Sequence, residues 1–213
     1  MFVRIRAAAI SCAVLVLLAL AAPAAMADLF YNFESGRGHN GESIGSQLSG
    51  LRFSDGIGFA DITSYWYSFS SDTGSVTMNG EYYMSGNVAA AVLNGAPQAR
   101  IDFTSGGASY FSVGYSSEFD FSIVGFDQEG NELGSVTGPA SVRSNGAWGL
   151  KYLTLNCAGM SYVSLCGEPG YWCIDNLSTD AAVPEPSAFV SVAFALSAFG
   201  LGRLRSRRVS SAG

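Results

Sequence analysis

Between Asp28 and Asp180 the apolar residues come in short runs, and each run is cut off by glycine, serine, asparagine or aspartate before a helix of useful length can form. Ala99-Arg100-Ile101-Asp102-Phe103, Tyr110-Phe111-Ser112-Val113-Gly114-Tyr115, Glu118-Phe119-Asp120-Phe121-Ser122-Ile123-Val124 and Tyr152-Leu153-Thr154-Leu155 alternate, or carry the β-branched and aromatic residues that suit a pleated, half-buried surface. Only Asn87 to Leu93 invites one or two turns of helix. Gly130-Asn131, within Phe126 to Leu133, reads as a hairpin turn. The predicted fold is all-β, a two-sheet sandwich of the jelly-roll kind, built from roughly 150 residues, enough for one domain with its own core. No internal repeat is visible.

The two ends are of another character. Of the 213 residues 48% are hydrophobic and only 13% charged, and much of the apolar excess lies outside the domain. Residues 1–27 carry Arg4 and Arg6, an apolar run from Ala7 to Ala22, Pro23, and the small-residue site Ala25-Met26-Ala27, the layout of a cleaved secretory signal. Cys12 sits inside that apolar run and not after it, so lipidation is not expected. At the other end Ser187 to Gly202 is apolar and is followed by Arg203, Arg205, Arg207 and Arg208. As a helix this run would reach ~24 Å, short of a ~30 Å hydrocarbon core, a gap that snorkelling arginines can close. The arginines favour the cytoplasmic side, which places the domain outside.

Charge follows the same partition. All 17 acidic residues fall between Asp28 and Pro186, against five of the 11 basic ones. A globule so acidic repels nucleic acid and anionic lipid, and suits divalent cations or neutral glycans better.

Val183-Pro184-Glu185-Pro186-Ser187, the apolar run 187–202 and the arginines of 203–208 together resemble the PEP-CTERM sorting signal of exported Gram-negative bacterial proteins. The two prolines around Glu185 hold the backbone extended, as a protease substrate must be. The resemblance implies a signal peptide over 1–27, an exported domain over 28–180 and a sorting segment over 181–213. It implies an exosortase-type membrane protease as partner. It also implies transient anchoring in the inner membrane, then release to the cell surface or beyond, in systems that accompany exopolysaccharide and biofilm.

Tyr31-Asn32-Phe33-Glu34, Leu48 to Ser54, the Gly125 to Gly134 hairpin and Trp172-Cys173-Ile174-Asp175-Asn176-Leu177 make the domain similar in outline to galactose-binding-like and carbohydrate-binding modules. That resemblance implies a structural Ca²⁺ near the joined chain ends, with Glu34 and Asp175 as ligands; the plainer alternative leaves Glu34 in solvent and Asp175 capping a turn. Tyr65, Trp66, Tyr67 and Trp148 are candidates for stacking on sugar rings, with Tyr82, Tyr83 and Tyr171 behind them.

The remaining motifs concern cysteine and catalysis. Cys166 and Cys173 bracket Gly167-Glu168-Pro169-Gly170, a turn signal that predicts adjacent strands joined by a disulfide. Cys157 is then a free buried thiol or an intermolecular link; the three thiols lack the His or fourth Cys of a zinc site. Gly41-Glu42-Ser43-Ile44-Gly45 matches the G-x-S-x-G hydrolase pattern, but loops flank it on both sides and the single histidine, His39, precedes the serine. Glu118 and Asp120 form a same-face carboxylate pair that is expected to be the solvated side of a strand. No catalytic residue is predicted. Two functions stay open: a noncatalytic surface or matrix protein sorted through its tail and associated with exopolysaccharide, or a dedicated sugar-binding module with structural calcium.

Overall fold

The structure is a computed structural model that describes residues 28–34, 40–54, 56–64, 67–71, 81–92, 98–104, 106–146 and 149–181. All of them fall in one compact unit, Met26–Val183. The signal cleavage residues Ala25 and Ala27, the motif Pro184, Glu185 and Pro186, the apolar run 187–202 and the arginines 203, 205, 207 and 208 lie outside the described residues. No helix among the described residues is long and apolar enough to cross a membrane.

The described residues form strands β1 (Leu29–Tyr31), β2 (Leu51–Phe53), β3 (Ile57–Asp61), β4 (Phe69–Ser71), β5 (Tyr82–Met84), β6 (Val88–Val92), β7 (Gln98–Phe103), β8 (Ala108–Ser117), β9 (Phe121–Phe126), β10 (Glu132–Gly138), β11 (Lys151–Met160), β12 (Tyr162–Cys166) and β13 (Trp172–Thr179). One sheet runs β11-β8-β13-β6-β3, with β1 added against the end of β13; the other runs β10-β9-β12-β7-β2. We call them the front and back sheets. Every pairing within them is antiparallel. The chain is thus the two-sheet β-sandwich that its alternation predicts.

The inner faces meet in one core. Phe111, Val113 and Tyr115 of β8 and Trp172, Ile174 and Leu177 of β13 face Phe121 and Ile123 of β9, Val163 and Leu165 of β12, and Ile101 and Phe103 of β7. Phe121 joins the layers: it stacks on Tyr115 at 5.0 Å and tilts against Trp172 at 5.1 Å. Pairs of this kind add about 1 kcal/mol each beyond simple burial.

Over β3, β6 and β13 the front sheet is buried on its other face as well. Ala60, Ala89, Ala91 and Cys173, which alternate with core residues, are covered by Tyr67, Tyr82, Met84 and Val142. This cover includes the short parallel pair β4-β5. Its small partners decide the state of Asn87 to Leu93. Ala89, Ala90 and Ala91 have no exposed surface, and only a flat strand with methyl side chains leaves both the core and the cover room to close. The helical turn suggested there is replaced by β6.

Polar stitches hold the chain end. Asp180 accepts from the Ser109 and Tyr110 amides at 2.7 and 3.1 Å and from the Ser109 hydroxyl, tying the end of β13 to the start of β8. Burial alone would raise the Asp180 carboxyl, but these donors outweigh it and hold the group below the ordinary 3.8. A lowered folded-state value means the stitch is fully present above the unfolded value and is lost as pH falls through the folded one. Thermal melts are therefore expected to show an Asp180 contribution that is constant above pH ~5 and declines progressively once the pH falls below ~3.8, so that D180N and parent chains converge in strong acid.

Candidate functional site

The front sheet is roofed over β3, β6 and β13 but open along β11, where Tyr152, Thr154 and Asn156 face solvent, whereas the outer face of the back sheet carries a row of side chains across all five of its strands. Its strands alternate as such a face requires: Ala99, Ile101 and Phe103 point inward, and Gln98, Arg100 and Asp102 point out. The registers set Arg52 opposite Asp102, Asp102 opposite Tyr162, Tyr162 opposite Phe126 and Phe126 opposite Glu132. One row of side chains therefore crosses all five strands, about 19 Å at the usual strand spacing.

The row is organised by charge and by ring stacking. Asp102 takes both arginines: Arg52 Nε and Nη2 lie 3.2 and 3.0 Å from Oδ2, and Arg100 Nε and Nη2 lie 2.7 and 2.5 Å from Oδ1. The carboxylate side chain is only 18% exposed, against 65% and 51% for the arginines, so it is the buried hinge of the trio. The Arg100 guanidinium lies over the Tyr162 ring at 3.5 Å, and Tyr162 stacks on Phe126 at 4.9 Å with 11° between the planes. A guanidinium held over a ring and paired to a carboxylate has its remaining N–H donors restricted in direction. The arrangement offers aligned donors beside half-buried aromatic surface, which is the chemistry that grips a hydroxylated ring.

These residues were not among the sequence candidates. The signal that would have found them is the polar half of β7: Arg100 and Asp102 at i and i+2 on a strand whose other face is Ala99, Ile101 and Phe103. Their partners Arg52 and Tyr162 come from 50 or more positions away and only the sheet register reveals them.

The predicted sites are distributed differently. Tyr65, Trp66 and Trp148 lie outside the described residues, as does His39. Tyr67 is no sugar platform: it is buried, donates its hydroxyl to the Val92 carbonyl at 3.0 Å and meets Tyr82 edge to face at 5.1 Å, because it roofs the front sheet. Tyr82 and Tyr83 are buried too, whereas Tyr171 is exposed and packs edge to face on exposed Phe119 at 5.6 Å. Glu118 and Asp120 precede β9 in a turn and do not share a strand face; Glu118 accepts the Tyr82 hydroxyl at 3.1 Å. Ser43 makes an isolated bridge to Gly58, and among the described residues 40–50 it has neither a strand before it nor a helix after it, as a nucleophile elbow would need.

The expected Cys166–Cys173 disulfide is not formed, and Cys157, Cys166 and Cys173 are all free. The Gly-Glu-Pro-Gly segment does turn the chain, but it crosses from the back sheet to the front: β12 pairs with β7 and β9, while β13 pairs with β1, β6 and β8. Cys173 points into the cover of the front sheet, 3.7 Å from the Tyr83 carbonyl, where burial and then the Asp175 charge push its thiol pKa well up.

Glu34 and Asp175 do converge, on the turn between β5 and β6. Glu34 Oε1 accepts from the Asn87 and Val88 amides at 2.5 and 2.8 Å; Asp175 Oδ2 accepts from the Ser85 amide at 2.7 Å and Oδ1 from Asn176 at 2.6 Å. Gly86 sits in the same turn with φ +80°, and a Cβ there would strike the Glu34 carboxylate. Calcium requires about six to eight oxygens around it, whereas these oxygens face amide hydrogens, which carry the same sign as a cation. No group of three or more His, Cys, Asp or Glu is gathered among the described residues. The donor set fits amide capping better than Ca²⁺.

No family model matches the chain, and no curated protein matches it. Solved structures that it resembles include a protein of the DUF4465 family from Bacteroides caccae (11% identity, 72% of this chain and 98% of that one, TM-score 0.40). A family 61 carbohydrate-binding module in complex with β-1,4-galactotriose matches at 15% identity, over 66% of this chain and 97% of that one, with a TM-score of 0.37. A family 29 carbohydrate-binding module mutant matches at 14% identity, over 58% and 90%, with a TM-score of 0.32.

Two measurements check this assignment. Asp175→Ala leaves the Ser85 amide in a part-buried turn without its acceptor, an expected loss of ~1–3 kcal/mol in chemical denaturation. Non-reducing peptide mapping is expected to return Cys173 as an unmodified thiol that alkylates only after unfolding; a Cys166–Cys173 linked peptide would refute the sheet-to-sheet crossing.

Proposed function

We propose that this protein is a noncatalytic, exported glycan-binding protein whose binding surface is the outer face of the back sheet. The observation that carries the reading is the row Arg52, Asp102, Arg100, Tyr162 and Phe126, where a carboxylate-locked pair of guanidiniums continues into stacked rings on a solvent-facing sheet. Sugar rings need an apolar surface for their C–H faces and fixed polar groups for their hydroxyls, and the row supplies both. Tyr162→Ala is expected to weaken binding roughly five- to tenfold in affinity electrophoresis through immobilised polysaccharide, because it removes the ring that holds the Arg100 guanidinium and Phe126 in place. Phe30→Ala, at an exposed ring on the other sheet, is expected to change nothing. Equal mobility of all three chains at every polysaccharide concentration refutes the reading.

Delivery belongs to the same proposal. The Pro184-Glu185-Pro186 motif, the apolar run 187–202 and the arginine cluster 203–208 support sorting by an exosortase-type protease, with transient retention in the inner membrane of a Gram-negative cell. The exported domain, of the jelly-roll type, then serves at the surface or in an exopolysaccharide matrix. Intact-mass spectrometry of the exported protein is expected to show a chain starting at Asp28 and trimmed near Pro184; an untrimmed tail removes the sorting half of the proposal.

The calcium version of the sugar-binding reading rests on Glu34 and Asp175 meeting at one turn. With the amides already filling that turn, chelation is expected to leave the melting temperature unchanged, and a fall on adding EDTA would restore a cation there.

A further inference from the structure

We infer that the saccharide taken by this face is acidic, with its carboxylate or sulfate seated at the end of the row formed by Arg52 and Arg100. The inference rests on the glycan-binding reading and names the ligand class. Its ground is the balance of donors and acceptors. A neutral sugar hydroxyl is held best when the protein offers an acceptor for its proton as well as a donor for its lone pairs. At this end of the row the one carboxylate among the described residues, Asp102, has Oδ1 taken by Arg100 and Oδ2 by Arg52, through the Nε and Nη2 groups of each. A guanidinium has five N–H donors, so each arginine keeps donors that Asp102 does not use. The end of the row therefore offers donors with little acceptor capacity, and two positive charges against one negative.

Electrostatics points the same way. Two of the five basic residues between Asp28 and Pro186 meet on adjacent strands, in a domain whose other charges are overwhelmingly acidic. Contact with the Tyr162 ring and the pairing with Asp102 restrain the Arg100 fork, and planar forks are matched in pairs by carboxylate and sulfate oxygens. Glu132 closes the far end of the row, and Asp127 and Glu129 lie in the turn beside it, so an oxyanion is favoured at the arginine end and repelled at the other. The ligand is thereby given a direction across the sheet.

The full-length protein in mild detergent, tested by calorimetry against paired polymers, decides the matter: polygalacturonate with β-1,4-galactan, and dextran sulfate with dextran. The acidic member of at least one pair is expected to bind about tenfold or more tightly than its neutral partner, and which pair does so distinguishes a carboxylated from a sulfated ligand. Added salt should erode that preference. Arg52→Glu, at a side chain that is 65% exposed, is expected to abolish it while the melting temperature holds. Neutral polymers that bind as well as acidic ones, or an acidic preference indifferent to Arg52→Glu, overturn this inference and leave glycan binding standing. If no polymer binds, both fall.

Discussion

Strand β13 is the constraint on which the rest depends. It lies between β8 and β6 in the front sheet and receives β1 at its end. Its side chains are buried on both sides: Trp172 and Ile174 in the sandwich core, Cys173 under the cover. From Trp172 to Asp175 the strand has no solvated side chain on either face, so its one carboxylate, Asp175, must find amide partners nearby. It finds Ser85 and Asn176, and the strand breaks register between Asp175 and Ser178 with Asn176 at φ +50°. The bulge, the turn it supports and the small alanines of β6 are consequences of putting this strand in the middle.

The roof over β3, β6 and β13 takes that part of the front sheet out of solvent, and the proposed glycan site lies on the back sheet instead. The tyrosines of the sequence divide accordingly. Tyr67 and Tyr82 form the roof of the front sheet, with their phenol pKa values raised chiefly by burial. Tyr162 keeps one ring face for Arg100 and the other for Phe126 on the open side. A sum over the whole domain describes an acidic globule suited to neutral glycans, yet the surface that a ligand would touch gathers two arginines. Net charge governs the far field, and contact chemistry is set by a few groups within hydrogen-bonding distance.

Legibility followed the range of the interaction. The alternation in Ala99 to Phe103 and Tyr110 to Tyr115, and the Gly130-Asn131 turn, are local matters of side-chain period and backbone freedom, and they became β7, β8 and the β9-β10 hairpin. The run from Glu118 was placed too early, because Glu118 is drawn off to the Tyr82 hydroxyl and Phe119 to Tyr171, partners that no window around β9 contains. The Cys166 and Cys173 pair failed for a related reason. A Gly-Pro turn announces a reversal of the chain but not whether the reversal stays within a sheet or crosses to the next.

From sequence alone came the division into an acidic, turn-punctuated β domain and two arginine-marked apolar ends, because composition and a two-residue period are properties of neighbouring residues. For Glu34 and Asp175 the structure matches the plainer of the two sequence readings, an exposed Glu34 and an Asp175 that caps a turn. Only the tertiary structure decided which face of which sheet is open and that Arg52, Asp102, Arg100, Tyr162 and Phe126 share a row. Register and layering are set by long-range packing, and a strand's polar face looks the same in sequence whether solvent, a second layer or a ligand lies against it.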